Sequence, residues 1–477
     1  QLIISPPLEK RSYEVKPLNG VTKKVFLKFL DSLESETTYT INFGNSIKDN
    51  NEGNPLTFFN YTFSTGETID SLYVKGNISD AYDFETDNYI SLHLYRIDSI
   101  FKDSVIFNDR PTYIANSLDS TSYQFQNIKE GKYLIIALKD VDNNYFFDPF
   151  YDKIGFIDSL ITLPRDSIID FRLFKEETAL IWDKPHFINS EKIGFGYYGK
   201  LDLKNIEIES SIPDSVQYTF TKEYEKDTLN FWLSRNSFDS LNFNLIEKDT
   251  IKLVTIKFDR ARDTLIDSLS ISPKTTNVIH LKETFKLSSN IPLKNIKDSL
   301  ITIRDIDSLV VPFTTSINDN LDEIDIKFEV SPSDNYRIFI LPKSIRDVRG
   351  VVNDTLEYSV VSQSIEDYGN VYLDIIRNNE SKFILHMINS NGEIIREFNN
   401  VSENSTYNFE YIRPGKYTFR LIEDSNNNNI WDTGNYLKKV NPEPVYYFSN
   451  EIEVRANWDL NEIFDLNQTQ IIKDSIN

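Results

Sequence analysis

Two stretches of alternating oxygen-bearing side chains are the part of this chain best suited to chemistry. In the first, Asp140, Asp142, Asn144 and Asp148 stand at positions one, three, five and nine; in the second, Asp424, Asn426, Asn428 and Asp432 do. Alternate residues of a tight loop turn to the same side, and a backbone carbonyl at position seven, that of Phe146 or Ile430, adds another oxygen. An all-oxygen set suits a hard cation. Ca²⁺, which takes about six to eight oxygens, is the expected ion, in a structural role: it would pin a long connection and neutralise clustered carboxylates. The stretches depart from the EF-hand pattern. Tyr145 and Asn429 replace the glycine of position six, and Tyr151 and Asn435 replace the glutamate of position twelve, with Asp152 one residue further on as a substitute in the first. The competing reading is an Asn/Asp-rich hairpin turn held by side-chain-to-backbone bonds and holding no ion.

The elements that must position these oxygens come in two copies. Residues 131–148 and 415–432 align without a gap, sharing the Gly-Lys-Tyr start, the first and last Asp and two Asn, with an aromatic (Phe147, Trp431) before the last Asp. An internal repeat makes the chain an array of modules. The paired aromatics are expected to plug a sandwich edge. Ahead of each repeat lie period-two apolar stretches, 89–97 and 382–388, which read as strands. A second repeated pattern joins the TYTINF stretch at 38–43 to YRIFIL at 336–341, Ile47-Lys48-Asp49 to Ile345-Arg346-Asp347, and Gly53 to Gly350. The later copy carries further strand-like sequence ahead of it that the earlier copy lacks, so the numbered chain is expected to start inside a domain. Recurrent Asp-Ser and Asp-Thr pairs followed by an aliphatic residue, as at 227–229 and 354–356, mark turns that lead into strands.

The expected fold is therefore all-β, a tandem array of β-sandwiches. Its segments are 1–67 (Ig-like, opening strands missing), 68–176 (the first loop-bearing repeat), 177–271 (a third, Ig-like sandwich), 272–364 (Ig-like), 365–466 (the second loop-bearing repeat) and a polar tail, 467–477. A length of 477 residues supports four or five domains, and 40% hydrophobic with 13% aromatic residues suffices for their cores. The net charge of −22 disfavours nucleic acid and anionic lipid surfaces and suits cations. Without cysteine, the chain offers no disulfide, thiolate metal ligand or cysteine nucleophile. No apolar run reaches the length of a membrane span.

The residues carry a resemblance. Glu130-Gly131-Lys132-Tyr133 and Pro414-Gly415-Lys416-Tyr417 resemble the Pro-Gly-x-Tyr strand start of prealbumin-like domains, including carboxypeptidase regulatory-like and Cna-B-like modules. The Asp-rich run at 424–432 looks like the loop of Cna-B-like domains of bacterial adhesins. Segments 1–67 and 272–364 look like the bacterial Ig-like domain of S-layer-type proteins. The combination, with 38–51 and 451–460, is similar to a family of Ig-like-domain lipoproteins of Bacteroidota. The resemblance spans most of the chain except 177–271. It implies export and a lipid-anchored outer-membrane location, surface-exposed or periplasmic, with the lipidated residue ahead of Gln1.

No catalytic constellation stands out. His93, His186, His280 and His386 are scattered, and His93 and His386 sit inside apolar strands as packed histidines. HExxH, Gly-x-Ser-x-Gly and phosphate-loop motifs are missing, and no spacing singles out a glycosidase-type carboxylate pair. The Gly194-Phe195-Gly196 stretch reads as a strand bulge. The expected function is a non-enzymatic cell-envelope scaffold or protein-interaction module, an accessory subunit of an outer-membrane assembly or export complex, with no nucleic-acid partner. The alternative is a surface carbohydrate binder feeding a glycan uptake system through aromatics such as Tyr197, Tyr198 and those of 444–448; a cryptic carbohydrate-active enzyme comes third.

Overall fold

The computed structural model describes all residues except 1, 10, 18–19, 57–58, 98–100, 224–225, 235–237, 259–267, 276, 378–380, 402–404 and 468–477. The expected polar tail lies outside the described residues apart from Asn467. The fold is all-β, a tandem array of Ig-like and prealbumin-like sandwiches. Among the described residues the only α-helix is the single turn Val105–Asn108.

Period-two patterning produces the sheets. In Ser240–Glu247 the residues Leu241, Phe243 and Leu245 are buried while their neighbours are not, and Glu323–Phe328 alternates in the same way. Each such Leu, Ile or Phe contributes about 1.5–3 kcal/mol on burial. Gly131–Lys139 breaks the alternation: Tyr133 through Leu138 are all buried, because both faces of this strand are covered.

The two loop-bearing repeats share one topology. In the first, one sheet runs Lys153–Phe156, Gly131–Lys139, Ser91–Arg96, Tyr113–Asn116, with Ile161–Leu163 also on the Gly131 strand; the other runs Phe171–Leu173, Leu72–Asp80, Ser122–Ile128. In the second, the sheets are Val445–Tyr447, Gly415–Asp424, Lys382–Asn389, Ile394–Val401, with Ile452–Val454 added, and Asp459–Asp465, Gly369–Ile376, Ser405–Ile412. The last strand of each repeat pairs in parallel with the first. The shared tyrosine closes the same turn in both: Tyr133 donates to the Lys129 carbonyl at 2.9 Å and Tyr417 to that of Arg413 at 3.0 Å.

The other repeated pattern is also structural. Tyr39 accepts the N–H of Glu34 and Tyr336 that of Ser331, each five residues back. Asp49 and Asp347 each gather backbone N–H groups of the turn that follows. Segment 272–364 has two four-stranded sheets, whereas residues 1–67 form a three-stranded sheet (Ile3–Ser5, Thr38–Asn42, Asn60–Ser64) and a two-stranded one (Tyr13–Lys16, Phe26–Phe29).

The chain groups into two compact units that are not consecutive in sequence. One holds residues 1–177, 381–384 and 421–447; the other holds 178–380, 385–420 and 448–477. The first unit therefore contains both Asp/Asn loops. Within the second, segments are tied by polar contacts. The side chain of Asn320 accepts from Lys222 N at 2.5 Å and donates to Lys222 O at 2.9 Å, so a side-chain amide takes the place of a neighbouring strand. Arg349 bridges the fully buried Asp347 and Glu191. His280 and Tyr368 share a 2.9 Å hydrogen bond.

Candidate cation loops

Each loop leaves the end of a buried strand and is closed by its own carboxylates. Asp140, buried at the start of the first, accepts the N–H of Asn144 at 3.2 Å and of Tyr145 at 2.8 Å. Asp424 does the same with Asn428 at 3.0 Å and Asn429 at 2.9 Å. To bring two successive N–H groups onto one carboxylate, the backbone turns left-handed at positions four and six, with φ of 55° and 69° at Asn143 and Tyr145, and 60° and 62° at Asn427 and Asn429. The conformation that favours glycine is thus adopted here by asparagine and tyrosine. Asn144 then accepts from Phe146 N, and Asn428 from Ile430 N. Asp148 accepts from Phe150 N, whereas both Asn426 and Asn428 donate their side-chain amides to Asp432, at 2.6 and 2.7 Å. Asp142 and Ile430 are exposed.

A second carboxylate clamps the base of each loop. Asp152 accepts Val141 N and Asp148 N, both at 2.9 Å. In the second loop this place belongs to Glu443, which accepts Ser425 N at 2.7 Å and Asp432 N at 3.0 Å. Sequence spacing pointed to Asp152 but missed Glu443, which follows a longer excursion. The usable signal was a lone carboxylate just ahead of the returning strand, Lys153–Phe156 in one case and Val445–Tyr447 in the other. Burial, and then the charges of Asp140 and Asp148, push the Asp152 carboxyl above its ordinary range; burial, with Asp432 and Asp424, does the same to Glu443.

The donor set is all oxygen: carboxylates, asparagine carbonyls and backbone. Each hydrogen-bonded carboxylate oxygen keeps a further lone pair, so these bonds leave acceptor capacity for a hard cation. Among the described residues no three His, Cys, Asp or Glu side chains are gathered as ligands of one ion. An ion here would therefore draw on the asparagines and the position-seven carbonyls as well.

Both loops feed one aromatic cluster in the first unit. Phe147 is buried beside Phe107, with ring centroids 5.6 Å apart. From the second loop's excursion, Tyr436 is fully buried against Phe156 (5.4 Å) and Phe107 (6.5 Å). Tyr436 donates to the Asp103 carbonyl at 3.0 Å, its N–H meets Glu176, and the Lys439 ammonium lies 3.9 Å from its ring centre. The Trp431 ring lies tilted 4.8 Å from that of Tyr82, and its indole N–H donates to the Glu443 carbonyl.

Other sequence expectations resolve differently. The Gly194 and Gly196 strand has no bulge of its own: the register shift lies in its partner, at Phe187 to Asn189. Both glycines allow close approach. A Cβ at Gly194 would lie 2.6 Å from the His186 ring, and one at Gly196 would lie 3.3 Å from Asp183. Tyr197 is buried in the third sandwich's core, so it is no glycan contact; Tyr198 is partly exposed. His93 is buried, bonded to Ser91 at 2.8 Å, and held neutral by burial, its pKa pushed down to about 3. His386 is buried between Arg420 and Glu397.

One family model and several solved structures are similar to parts of the chain. The sequence model of a family described as bacterial Ig-like domain matches residues 3–65, within the Ig-like segment expected there. No curated protein matches the chain. Among solved structures, native alpha-2-macroglobulin of Escherichia coli (domains MG0-NIE-MG1) is 14% identical over 38% of this chain and 70% of that one, with a TM-score of 0.19. BcpA, the major pilin subunit of Bacillus cereus, is 11% identical over 83% and 99%, with a TM-score of 0.15. SGBP-B of the Bacteroides ovatus mixed-linkage glucan utilization locus, in complex with a heptasaccharide, is 10% identical over 81% and 94%, with a TM-score of 0.17.

Proposed function

We propose that this chain is a non-enzymatic scaffold of the bacterial cell envelope, akin to the Ig-like-domain lipoproteins of Bacteroidota. In this reading a lipidated segment outside residues 1–477 holds it to the outer membrane, where it serves an assembly or export complex. The observation that carries the reading is the tying of modules to one another. Arg349 with Asp347 and Glu191, and Asn320 with Lys222, join segments of the second unit, and the buried Tyr436 joins the second loop to the first repeat. Fixed joints suit a protein that holds partners at set separations, because relative motion between modules is otherwise the default.

The same reading gives the loops a structural Ca²⁺ each. Asp140, Asp142, Asn144, Asp148 and the Phe146 carbonyl would hold one, and Asp424, Asn426, Asn428, Asp432 and the Ile430 carbonyl the other, these oxygens drawing together round the ion while Asp152 and Glu443 stay on the backbone N–H groups of the loop base. The ion supplies positive charge where buried carboxylates crowd, and the chain supplies the preformed turns.

The test is in-cell cross-linking followed by envelope fractionation. The reading expects the chain in the outer-membrane fraction, linked through defined lysines to an integral outer-membrane protein. Recovery as a free soluble monomer, or turnover on a polysaccharide panel, contradicts it.

A further inference from the structure

Phe84 stands 65% exposed on the turn between Leu72–Asp80 and Ser91–Arg96 of the first repeat. It is not isolated. Its ring meets Tyr447 edge-on, with centroids 5.2 Å apart, and the Tyr447 hydroxyl donates to the Tyr82 carbonyl at 2.7 Å. Tyr82 in turn lies 4.8 Å from Trp431. Four rings from three stretches of the first unit therefore run together, and Tyr82, Trp431 and Tyr447 are each partly exposed. Two exposed carboxylates, Asp83 and Glu85, flank Phe84 in the chain. An exposed apolar patch rimmed by charge marks an interaction surface. The turn is held in shape from its base: Asp80 accepts the N–H groups of Tyr82 and Asp83, both at 2.9 Å, and Lys153 spans Asp80 and Asp87 at 2.7 and 2.9 Å. Lys153 is thus already engaged. Among the described residues Asp83 and Glu85 make no ion pair, and no Lys or Arg lies over the ring of Phe84 or Trp431.

Elsewhere the chain completes the same combination with a cation of its own. The Lys439 ammonium lies 3.9 Å from the Tyr436 ring centre and 3.0 Å from Asp103; that of Lys282 lies 5.1 Å from Tyr411 and 2.8 Å from Glu410. Arg455 lies 5.1 Å from the Trp458 ring centre and 3.0 Å from Glu453. In each case a cation sits between an aromatic face, whose quadrupole attracts it, and a carboxylate. Around Phe84 the rings and the carboxylates are present, and no described residue supplies the cation. A net charge of −22 draws cations to such a face, and two carboxylates without an ion pair match a cation rather than a neutral sugar.

We propose that Phe84, Tyr447, Tyr82 and Trp431, with Asp83 and Glu85, form a docking surface for an arginine side chain of a partner protein. The planar guanidinium stacks on the Phe84 ring and turns its N–H fork to the carboxylates, two contacts that a compact ammonium cannot make at once. The surface has this role whether or not the chain serves an outer-membrane complex.

The test titrates the full chain, by calorimetry, with a capped Gly-Arg-Gly-Arg-Gly peptide, with its lysine and citrulline counterparts, and with cellohexaose; radical footprinting locates the contact. The arginine peptide is expected to shield Phe84 and Tyr447 from labelling and to bind about fivefold tighter than the lysine peptide. The citrulline peptide keeps the planar head without the charge and is expected not to bind. Phe84→Ala should weaken arginine-peptide binding about tenfold with an unchanged melting temperature, because most of this ring already lies in water. D83N/E85Q should weaken it about fivefold at low salt, with the difference screened away near about 0.5 M salt. No arginine-peptide binding up to about 10 mM, citrulline binding as tight as arginine, or an unchanged affinity in Phe84→Ala overturns the proposal. Cellohexaose binding that Phe84→Ala abolishes also overturns it, by assigning the rings to a sugar.

Discussion

Glu443 stands in the second Asp/Asn loop where Asp152 stands in the first: each carboxylate accepts the N–H following the loop's first Asp and the N–H of its last Asp. The glutamate is one methylene longer and stands seven residues further along its loop than the aspartate, yet the bonding is the same. The base of each loop is therefore a desolvated site with two further acids of the same loop nearby.

This has a pH consequence. A carboxyl whose folded pKa is raised holds the fold best when protonated, so its contribution is present at low pH and is lost as pH rises through the raised value. Without divalent cations, the melting gap between wild type and the D152N/E443Q variant is expected to be widest near pH 4 and to narrow toward about pH 7. Calorimetric scans across that range check it; a gap that widens with pH refutes the desolvated clamp.

Tyr436 is expected to be a stability residue of the first unit. Truncation by Tyr436→Ala should cost about 3–5 kcal/mol, the range for large aromatic core deletions. Tyr436→Phe should cost about 1 kcal/mol, for the lost bond to the Asp103 carbonyl. Urea denaturation followed by tryptophan fluorescence, in a variant with Trp182, Trp232 and Trp458 changed to Phe so that Trp431 alone reports, reads both.

In the second unit, Arg349→Ala leaves the fully buried Asp347 without its guanidinium and should cost about 3–5 kcal/mol. Arg349→Lys should recover only part of this, since an ammonium lacks the planar fork that meets both Asp347 and Glu191. Equal stability of all three proteins would remove this joint from the account.

Gly76 and Gly194 separate two kinds of close packing. A Cβ at Gly76 would sit 1.7 Å from the Ile169 carbonyl oxygen, which is backbone and cannot step aside. Gly76→Ala should abolish soluble expression or sharply lower the melting point. Gly194→Ala meets the His186 ring, which can rotate away, and should cost far less.

Much of this was legible in the sequence. Alternating apolar residues fixed the strands, and the gapless repeat located both loops together with their first, third, fifth and ninth positions. What escaped depended on three-dimensional proximity. Glu443 lies nineteen residues after Asp424, whereas Asp152 lies twelve after Asp140, so no single spacing finds both. The return of 421–447 to the first unit through Tyr436 leaves no local signature, because a tyrosine in an Asn/Lys-rich excursion reads as surface. Gly194 and Gly196 resembled a bulge because close side-chain approach and backbone irregularity draw on the same residue type.

The most direct measurement is a calcium titration of the metal-free full chain by calorimetry, paired with melting curves. The account predicts two bound Ca²⁺ and a rise in melting temperature, one ion lost in Asp140→Ala, one in Asp424→Ala and both in the double variant. No binding heat up to about millimolar Ca²⁺, the weak end of protein calcium sites, with unchanged melting, would show the loops to be closed by their own backbone alone.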